Sequence, residues 1–474
     1  MTQRFPFTIA YRSGGRDPAV NLRAGRHFRF DFDAANNSFL SDLPAVLVDL
    51  LRIASAIYVV DRLIKRRLGN RCKPARTIDL QVEVLKAAYW NRSELRDTIR
   101  EALDFVSGDF WDIAFVQDKS DFRRVKQFLP NPPDVPPPLM CLYSGGLDSA
   151  AGLASRISEN TMRPIIPVSV WHQPRQKHWL LKQHALLRER FGSQIDPLIV
   201  KVAMVWSSDL NKKHEEGSQR CRSFLFAALG AIAAIMQGQS SVEMFESGVG
   251  AINQPLMADM VGWKATKGSH PAFLRLMSRL ASHIAGSNFE FRLPFFNQTK
   301  GELVTRLAEL KLEQLARMTA SCVAYPLRHS RSSPAKQCGI CPACIFRRQA
   351  MQVAAISEGV EVYEHNIFKL LPESAAMPAE RLKFLKAFLM QVAQLKDVER
   401  NERLPGAFER HVISTGILMQ GQSQKGVIEL LARYRDEWIA VASQARRSGL
   451  GWATWLAPQQ PQERLEQGVI YASA

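Results

Sequence analysis

Between residues 139 and 293 short apolar runs alternate with amphipathic stretches. Leu139–Tyr143, Pro164–Trp171 and Pro197–Val205 read as buried strands, and Ser241–Glu246 and Phe289–Leu293 as two more. Asp148–Ile157, His178–Phe191 and the strongly apolar Arg222–Met236 carry helical periodicity between them, and Ile345–Ile356 carries it again further on. Strands alternating with helices predict an α/β fold, a parallel sheet with helices on both faces. The first 130 residues are patterned differently. Phe5–Tyr11, His27–Phe32 and Thr77–Leu85 are strand-like, whereas Leu43–Leu68 and Leu95–Phe105 are helical, which predicts a small N-terminal α+β domain over 1–130. The segment PNPPDVPPP over 130–138 holds six prolines in nine positions and cannot continue a helix or an inner strand. It sets a proline-rich linker at 131–138, ahead of a core domain over 139–360. Ala379–Glu402 and Ser423–Arg447 predict a helical C-terminal extension over 361–474.

Composition narrows the class. The chain has 474 residues, 46% of them hydrophobic, with nine Trp and 25 Phe, enough to bury a large core. The net charge of +17 favours anionic partners such as nucleotides, nucleic acid or acidic proteins, and fits a soluble basic surface equally well. No basic run is interleaved with aromatics densely enough to name a nucleic-acid groove, so direct nucleic-acid binding stays open. No apolar run reaches the roughly 18–20 residues a bilayer needs, and MTQRFPFTIAYRSGG lacks the apolar core of a secretory signal. The expectation is a cytoplasmic protein with no membrane partner.

The sharpest motif is the run Tyr143, Ser144, Gly145, Gly146, Leu147, Asp148, Ser149, at a strand–helix junction. The two glycines let backbone N–H groups approach phosphate oxygens, and the helix N-terminus adds its positive dipole. The Ser144 and Ser149 hydroxyls can donate to the same oxygens. Asp148 would repel phosphate, so its expected task is to hold Mg²⁺ against it. The spacing is not that of a Walker A loop, and no lysine follows. Glu246 ends a strand, where an α/β fold opens its ligand crevice, and is a candidate substrate contact.

Three of seven cysteines, Cys338, Cys341 and Cys344, fall within seven residues, and Cys322 lies 16 residues upstream of the first. This is the spacing of a closed four-thiolate zinc site, structural because no position is left for water. An Fe–S cluster could use the same thiols. The scattered Cys72, Cys141 and Cys221 read as small buried residues.

SGGLDS resembles the PP-loop of the ATP pyrophosphatases, which grips the β and γ phosphates while the α phosphorus is attacked. Together with the downstream thiols it resembles the QueC family, the 7-cyano-7-deazaguanine synthases. PFFNQTKGELV from Pro294 resembles the family's proline, lysine, then helix; TASC over 319–322 resembles its TWSC, and Cys338 to Arg347 its CGxCxxCxxR. RCRSFL from Arg220 resembles its RNxxFL, and His172-Gln173 lies where it has a glutamine. The resemblance covers about 139–355 and implies an adenine nucleotide alpha hydrolase-like, Rossmann-like core. It implies ATP as co-substrate, a 7-carboxy-7-deazaguanine-like molecule as substrate, and phosphate charge neutralised by Lys300 and Arg220. The family's substrate segment, DxSGYPDCR-like, is replaced by ESGVGAINQP from Glu246, followed by His270-Pro271. Asn253 in that segment is a second candidate substrate contact.

The length and this altered segment resemble an antiviral-defence branch, QatC above all. That branch implies transfer of the activated carboxylate to the N-terminal amine of a partner protein. Its partners include an ATPase, a small acceptor protein and a TatD-like nuclease. Two other readings stand beside it: nitrile synthesis for nucleic-acid modification, and a non-catalytic nucleotide-binding subunit of a defence complex. A tRNA thiolase reading would need a sulfur-carrying or Fe–S site beyond the one closed thiol cluster.

Overall fold

The computed structural model describes residues 8–13, 20–23, 28–32, 43–66, 75–119, 136–159, 163–172, 174–192, 195–204, 215–257, 260, 267–323, 336–369, 379–418 and 422–456. Residues 131–135 of the proline segment, Cys72 and Gln173 lie outside the described residues.

The centre is a six-stranded sheet. Its parallel strands are β6 (Leu139–Leu142), β7 (Ile165–Trp171), β8 (Leu198–Met204), β9 (Ser241–Met244) and β10 (Glu290–Arg292). The spatial order is β10-β9-β6-β7-β8, and β3 (Phe28–Phe32) closes the β8 edge in antiparallel register. The fold is therefore α/β. All four residues of β6 are buried, because helices cover both faces. Leu139 and Cys141 pack with the Leu147–Glu159, Pro174–Phe191 and Lys300–Glu309 helices. Met140 and Leu142 pack with the Arg222–Met236 helix. That helix is apolar all round because it is sandwiched between the sheet and the Ala45–Leu63 helix. Gly230 makes the close approach possible: a Cβ there would come within 2.7 Å of Leu142 Cδ2.

A second sheet has the order β2-β1-β4-β5, from β1 (Thr8–Ser13), β2 (Val20–Arg23), β4 (Thr77–Val84) and β5 (Phe110–Gln117). β5 is a strand that the periodicity reading passes over, although Trp111, Ile113 and Phe115 alternate inward along it. The Ser93–Ser107 helix crosses from β4 to β5 and ends at Gly108, in the left-handed conformation (φ 69°).

The described part of the first 130 residues shares a core with the segments that follow. β3 belongs to the central sheet, and one hydrophobic cluster runs from the second sheet through the Ala45–Leu63 helix to the Arg222–Met236 and Pro271–Ala285 helices. A buried ion network lies at the seam: Arg66 and Arg76 both pair with Asp109, and Arg76 also with Asp61. Asp61 Oδ2 in turn accepts the backbone N–H of Cys221 at 3.1 Å.

The Ala379–Gln394, Gly406–Ser414 and Gln424–Arg447 helices build a separate apolar cluster around Trp438, Tyr434 and Phe388. Trp452 is part of it, with its Nε1–H donating to Phe368 O at 3.1 Å. No helix among the described residues is long and apolar enough to cross a membrane.

Candidate active site

The chain leaves β6 for β7 on one side, whereas β9 lies on the other. The carboxyl ends of β6 and β9 therefore flank the switch point at which open α/β sheets bind ligands. Ser144–Ser149 follows β6, and Glu246 follows β9.

Gly145 takes φ +74°, and a Cβ on it would come within 2.8 Å of Leu180 Cδ2 and 2.9 Å of Trp179 Cζ3, so both backbone angle and space demand glycine. Ser144 is exposed. Its Oγ lies 3.1 Å from Ser149 Oγ and accepts the Gly146 N–H at 3.2 Å, while Ser149 Oγ donates to Gly146 O at 3.0 Å. The first-turn N–H groups of the Leu147–Glu159 helix open onto this end of the sheet. Tyr143 does not face the crevice: its side chain is fully buried against His184, with its hydroxyl on Gln183. Gln183 and Trp179 reach past the loop to Met318 O, and Gln183 Nε2 also donates to Gly145 O at 3.3 Å. Both are residues that the motif reading missed. They sit on the Pro174–Phe191 helix with no local signature.

Asp148 is 7% exposed, and its Oδ2 pairs with Lys300 Nζ. Lys300 opens the Lys300–Glu309 helix behind a capping box of Thr299 and Glu302. Its ammonium also lies 4.9 Å from the centre of the Phe346 ring. Glu246 joins the pair. Burial pushes its carboxyl well above the usual range, and the neighbouring Asp148 carboxylate adds to that while Lys300 opposes it. Among the described residues no fixed donor reaches the buried Asp148 Oδ1, and the Glu246 carboxyl is placed to hydrogen-bond to Asp148.

Contact between distant segments brings these groups together. Gly248 N donates to Gln298 O at 2.9 Å, and a Cβ on Gly248 would lie 1.8 Å from Phe296 O. The ESG segment after β9 is thereby laid on the turn that precedes Lys300.

Arg220 lies among the charges of the seam. Burial, then the nearby Arg66, lowers the Arg220 guanidinium to about 10, and Asp61, Glu216 and Asp109 oppose this. Arg220 thus shares the field of the seam network. Asn253 caps the Gly248–Ile252 helix in the left-handed conformation (φ 45°). A short polar side chain tolerates that backbone, so its position has a local cause.

The four cysteines converge. The sulfur atoms of Cys322, Cys338, Cys341 and Cys344 all lie within 4.8 Å of one another, and Cys338 Sγ is 3.8 Å from Cys344 Sγ. Tetrahedral zinc with ~2.3 Å bonds sets its sulfurs about 3.8 Å apart. The group can bind a metal such as zinc. Cys341 caps the Pro342–Val353 helix with Pro342 at its first position, so the thiols meet its positive end. Gly339 takes φ +78° and has no room for a Cβ, which would lie 2.0 Å from His365 O. Gln337 Oε1 accepts the backbone N–H of Ser321 (2.9 Å) and Cys322 (3.1 Å), tying the two halves together. Residues 324–335, between Cys322 and the other three thiols, lie outside the described residues.

The thiol cluster also abuts the glycine loop. Ala320 O would lie 3.8 Å from a Cβ on Gly146, and buried Arg347 holds Thr319 Oγ1 and Ala316 O while pairing with Glu358 at 2.9 Å. A metal that fixes Cys322 therefore also fixes the wall of the loop.

No curated protein matches the chain. The glycine loop stands outside the stretch matched by a family model, which takes in Lys300 and all four cysteines. Residues 265–355 match the family model of QueC, described as Queuosine biosynthesis protein QueC, and this supports a QueC-like family for the chain.

Proposed function

We propose that the chain is an ATP-dependent synthase or ligase with a PP-loop core, one that cleaves ATP to AMP and pyrophosphate to activate a 7-deazaguanine carboxylate. The observation that carries this reading is the grouping of Asp148, Lys300 and Glu246 beside the Ser144–Ser149 loop. In the core, β6 to β10 are ordered 3-2-1-4-5 counted from β6, the arrangement of nucleotide-binding doubly wound sheets.

The first-turn N–H groups and the two serine hydroxyls hold the β and γ phosphates. The orphaned Asp148 Oδ1 and the Glu246 carboxyl suit a hard divalent cation, and both residues would hold Mg²⁺. When bound, Mg²⁺ neutralises phosphate charge. A carboxylate oxygen of the substrate attacks the α phosphorus. The bond to the bridging oxygen breaks, pyrophosphate leaves, and an acyl adenylate forms. Lys300 stabilises the charge that builds on the phosphates. An amine then attacks the acyl carbon, loses a proton and displaces AMP. The four-cysteine site, with zinc, is structural. In the defence-branch reading the amine is the N-terminus of a partner protein. The block outside the family match, in which the Gln424–Arg447 helix packs on the site, favours a dedicated partner.

The match over 265–355 favours a second reading, in which ammonia is the amine and a second ATP dehydrates the amide to the nitrile. The test mixes the protein with ATP, Mg²⁺ and 7-carboxy-7-deazaguanine, with and without ammonium. AMP and pyrophosphate dependent on the deazaguanine, and lost in Asp148→Asn, support adenylation. Nitrile formed with ammonium selects the second reading, and adenylate or amide without nitrile selects transfer to a protein amine. ATP binding with no AMP under either condition or with candidate acceptor proteins would refute adenylation and leave a nucleotide-binding subunit.

A further inference from the structure

We propose that Glu437, on the C-terminal Gln424–Arg447 helix, is a positioning residue that holds Lys300 against Asp148. The proposal deepens the ATP-cleaving reading, although its first test does not depend on turnover. Glu437 lies outside the stretch that matches QueC and carries no sequence signature.

One stripe of the Gln424–Arg447 helix, Leu430, Arg433, Tyr434 and Glu437, faces the segment around Lys300, at the spacing by which one helix face repeats. Glu437 Oε1 accepts the hydroxyl of Thr299, and Oε2 accepts Gln349 Nε2 at 3.0 Å. The same Thr299 oxygen accepts the Glu302 N–H at 3.0 Å, so the hydroxyl that caps the helix is itself aimed by Glu437. Lys300 is the next residue. Gly301 makes room for the carboxylate: a Cβ there would lie 2.4 Å from Glu437 Oε1. Arg433 Nε donates to Glu302 Oε1 at 2.8 Å, and its Nη2 donates to Asn297 O at 2.6 Å. Tyr434 packs edge-on against Phe346 at 5.8 Å, and Phe346 is the ring beside the Lys300 ammonium. Leu430 meets Gly248, the glycine next to the Glu246 segment, where a Cβ would lie 2.5 Å from Leu430 Cδ2. A single helix face thus grips both segments that supply the site.

The first test is lysine acylation of the full chain with an amine-reactive ester, read residue by residue by mass spectrometry. Lys300 is 7% exposed and paired, and serves as the reporter; Lys425, with its side chain 87% exposed on the same helix, is the internal reference. Glu437→Ala should raise the Lys300 rate roughly tenfold relative to Lys425, because two hydrogen bonds to a carboxylate are lost. Thr299→Val, which keeps the shape and removes the hydroxyl, should do the same. Glu437→Gln should protect Lys300 as wild type does. Its amide oxygen still accepts from Thr299, and its NH₂ can donate to Gln349 Oε1, which has no partner among the described residues.

Unchanged Lys300 rates in folded Glu437→Ala and Thr299→Val overturn the proposal, as does a Glu437→Gln rate equal to that of Glu437→Ala. If Glu437→Ala unfolds, seen as exposure of buried Trp438, Thr299→Val decides. The second test is AMP formation: kcat should fall roughly tenfold in Glu437→Ala with KM for ATP within about twofold, and recover in Glu437→Gln. A wild type that makes no AMP defeats the functional reading alone, since the acylation rates still decide the role of Glu437.

Discussion

Lys300→Met should destabilise the chain in metal-free buffer by about 3–5 kcal/mol, the usual cost of stranding a buried charge. The Lys300 and Asp148 side chains are each 9% exposed, so water cannot replace the ammonium. Among the described residues no fixed donor reaches Asp148 Oδ1 even with Lys300 present, and Glu246 sets a second carboxyl beside it. Proton uptake by Glu246 relieves part of the loss. Burial and Asp148 already raise Glu246 in the wild type, so the folded chain holds a proton that the unfolded chain releases. Stability therefore falls as pH rises through that window, and the penalty should be larger at pH 8 than at pH 6. Mg²⁺ should rescue the variant. At about 100 times its Kd, a ligand of the folded state alone restores about 2.7 kcal/mol. Wild type should gain less, because Lys300 already occupies Asp148 Oδ2. The assay is urea unfolding followed by tryptophan emission, at both pH values, with EDTA or Mg²⁺. A variant within about 0.5 kcal/mol of wild type, or an equal gain from Mg²⁺ in both proteins, would refute the buried pair and its role at a metal site.

Burial raises the Glu437 carboxyl from 4.5 to about 7, so wild type loses stability as pH climbs through that interval. Glu437→Gln lacks this titration, and its stability relative to wild type should rise by up to about 3 kcal/mol between pH 5 and pH 8; a difference flat with pH in chemical unfolding would contradict the burial. Cys341→Ser should strip the bound metal, measured by elemental analysis of purified protein, and lower the yield of soluble chain; full metal content would show that Cys341 is not a ligand. Gly248→Ala has to move Phe296 O by well over 1 Å. It should cost about 3 kcal/mol in the same urea assay, and a neutral effect would mean that the Gly248 contact is looser than the structure has it.

Much of the fold was readable because its cause is local. Strands buried on both faces must be apolar throughout, and helices that cover them must repeat near 3.6 residues, so the five parallel strands and the helices that follow β6, β7 and β8 emerge from periodicity alone, whereas the Pro271–Ala285 helix does not. Arg222–Met236 is found with the same limits that the structure has. The SGGLDS turn and the CGxCxxC run are legible for a related reason, since both place their groups through near-neighbour backbone geometry. β5 has a clean alternation that periodicity also carries, whereas nothing local shows that the Tyr143 side chain turns back from the loop into the core.

The sequence by itself determined the α/β alternation, the glycine loop opening a helix, and a thiol set able to close on one ion. Tertiary structure alone decided that β3 leaves the N-terminal block for the central sheet, and that Arg220 shares the field of the seam network. It also set Lys300 beside Asp148 across 152 positions and Glu437 on Thr299 across 138. No local rule encodes such pairs. A buried carboxylate needs some cation and a cap needs some acceptor, but which residue answers is settled only when helices and sheet pack around one core.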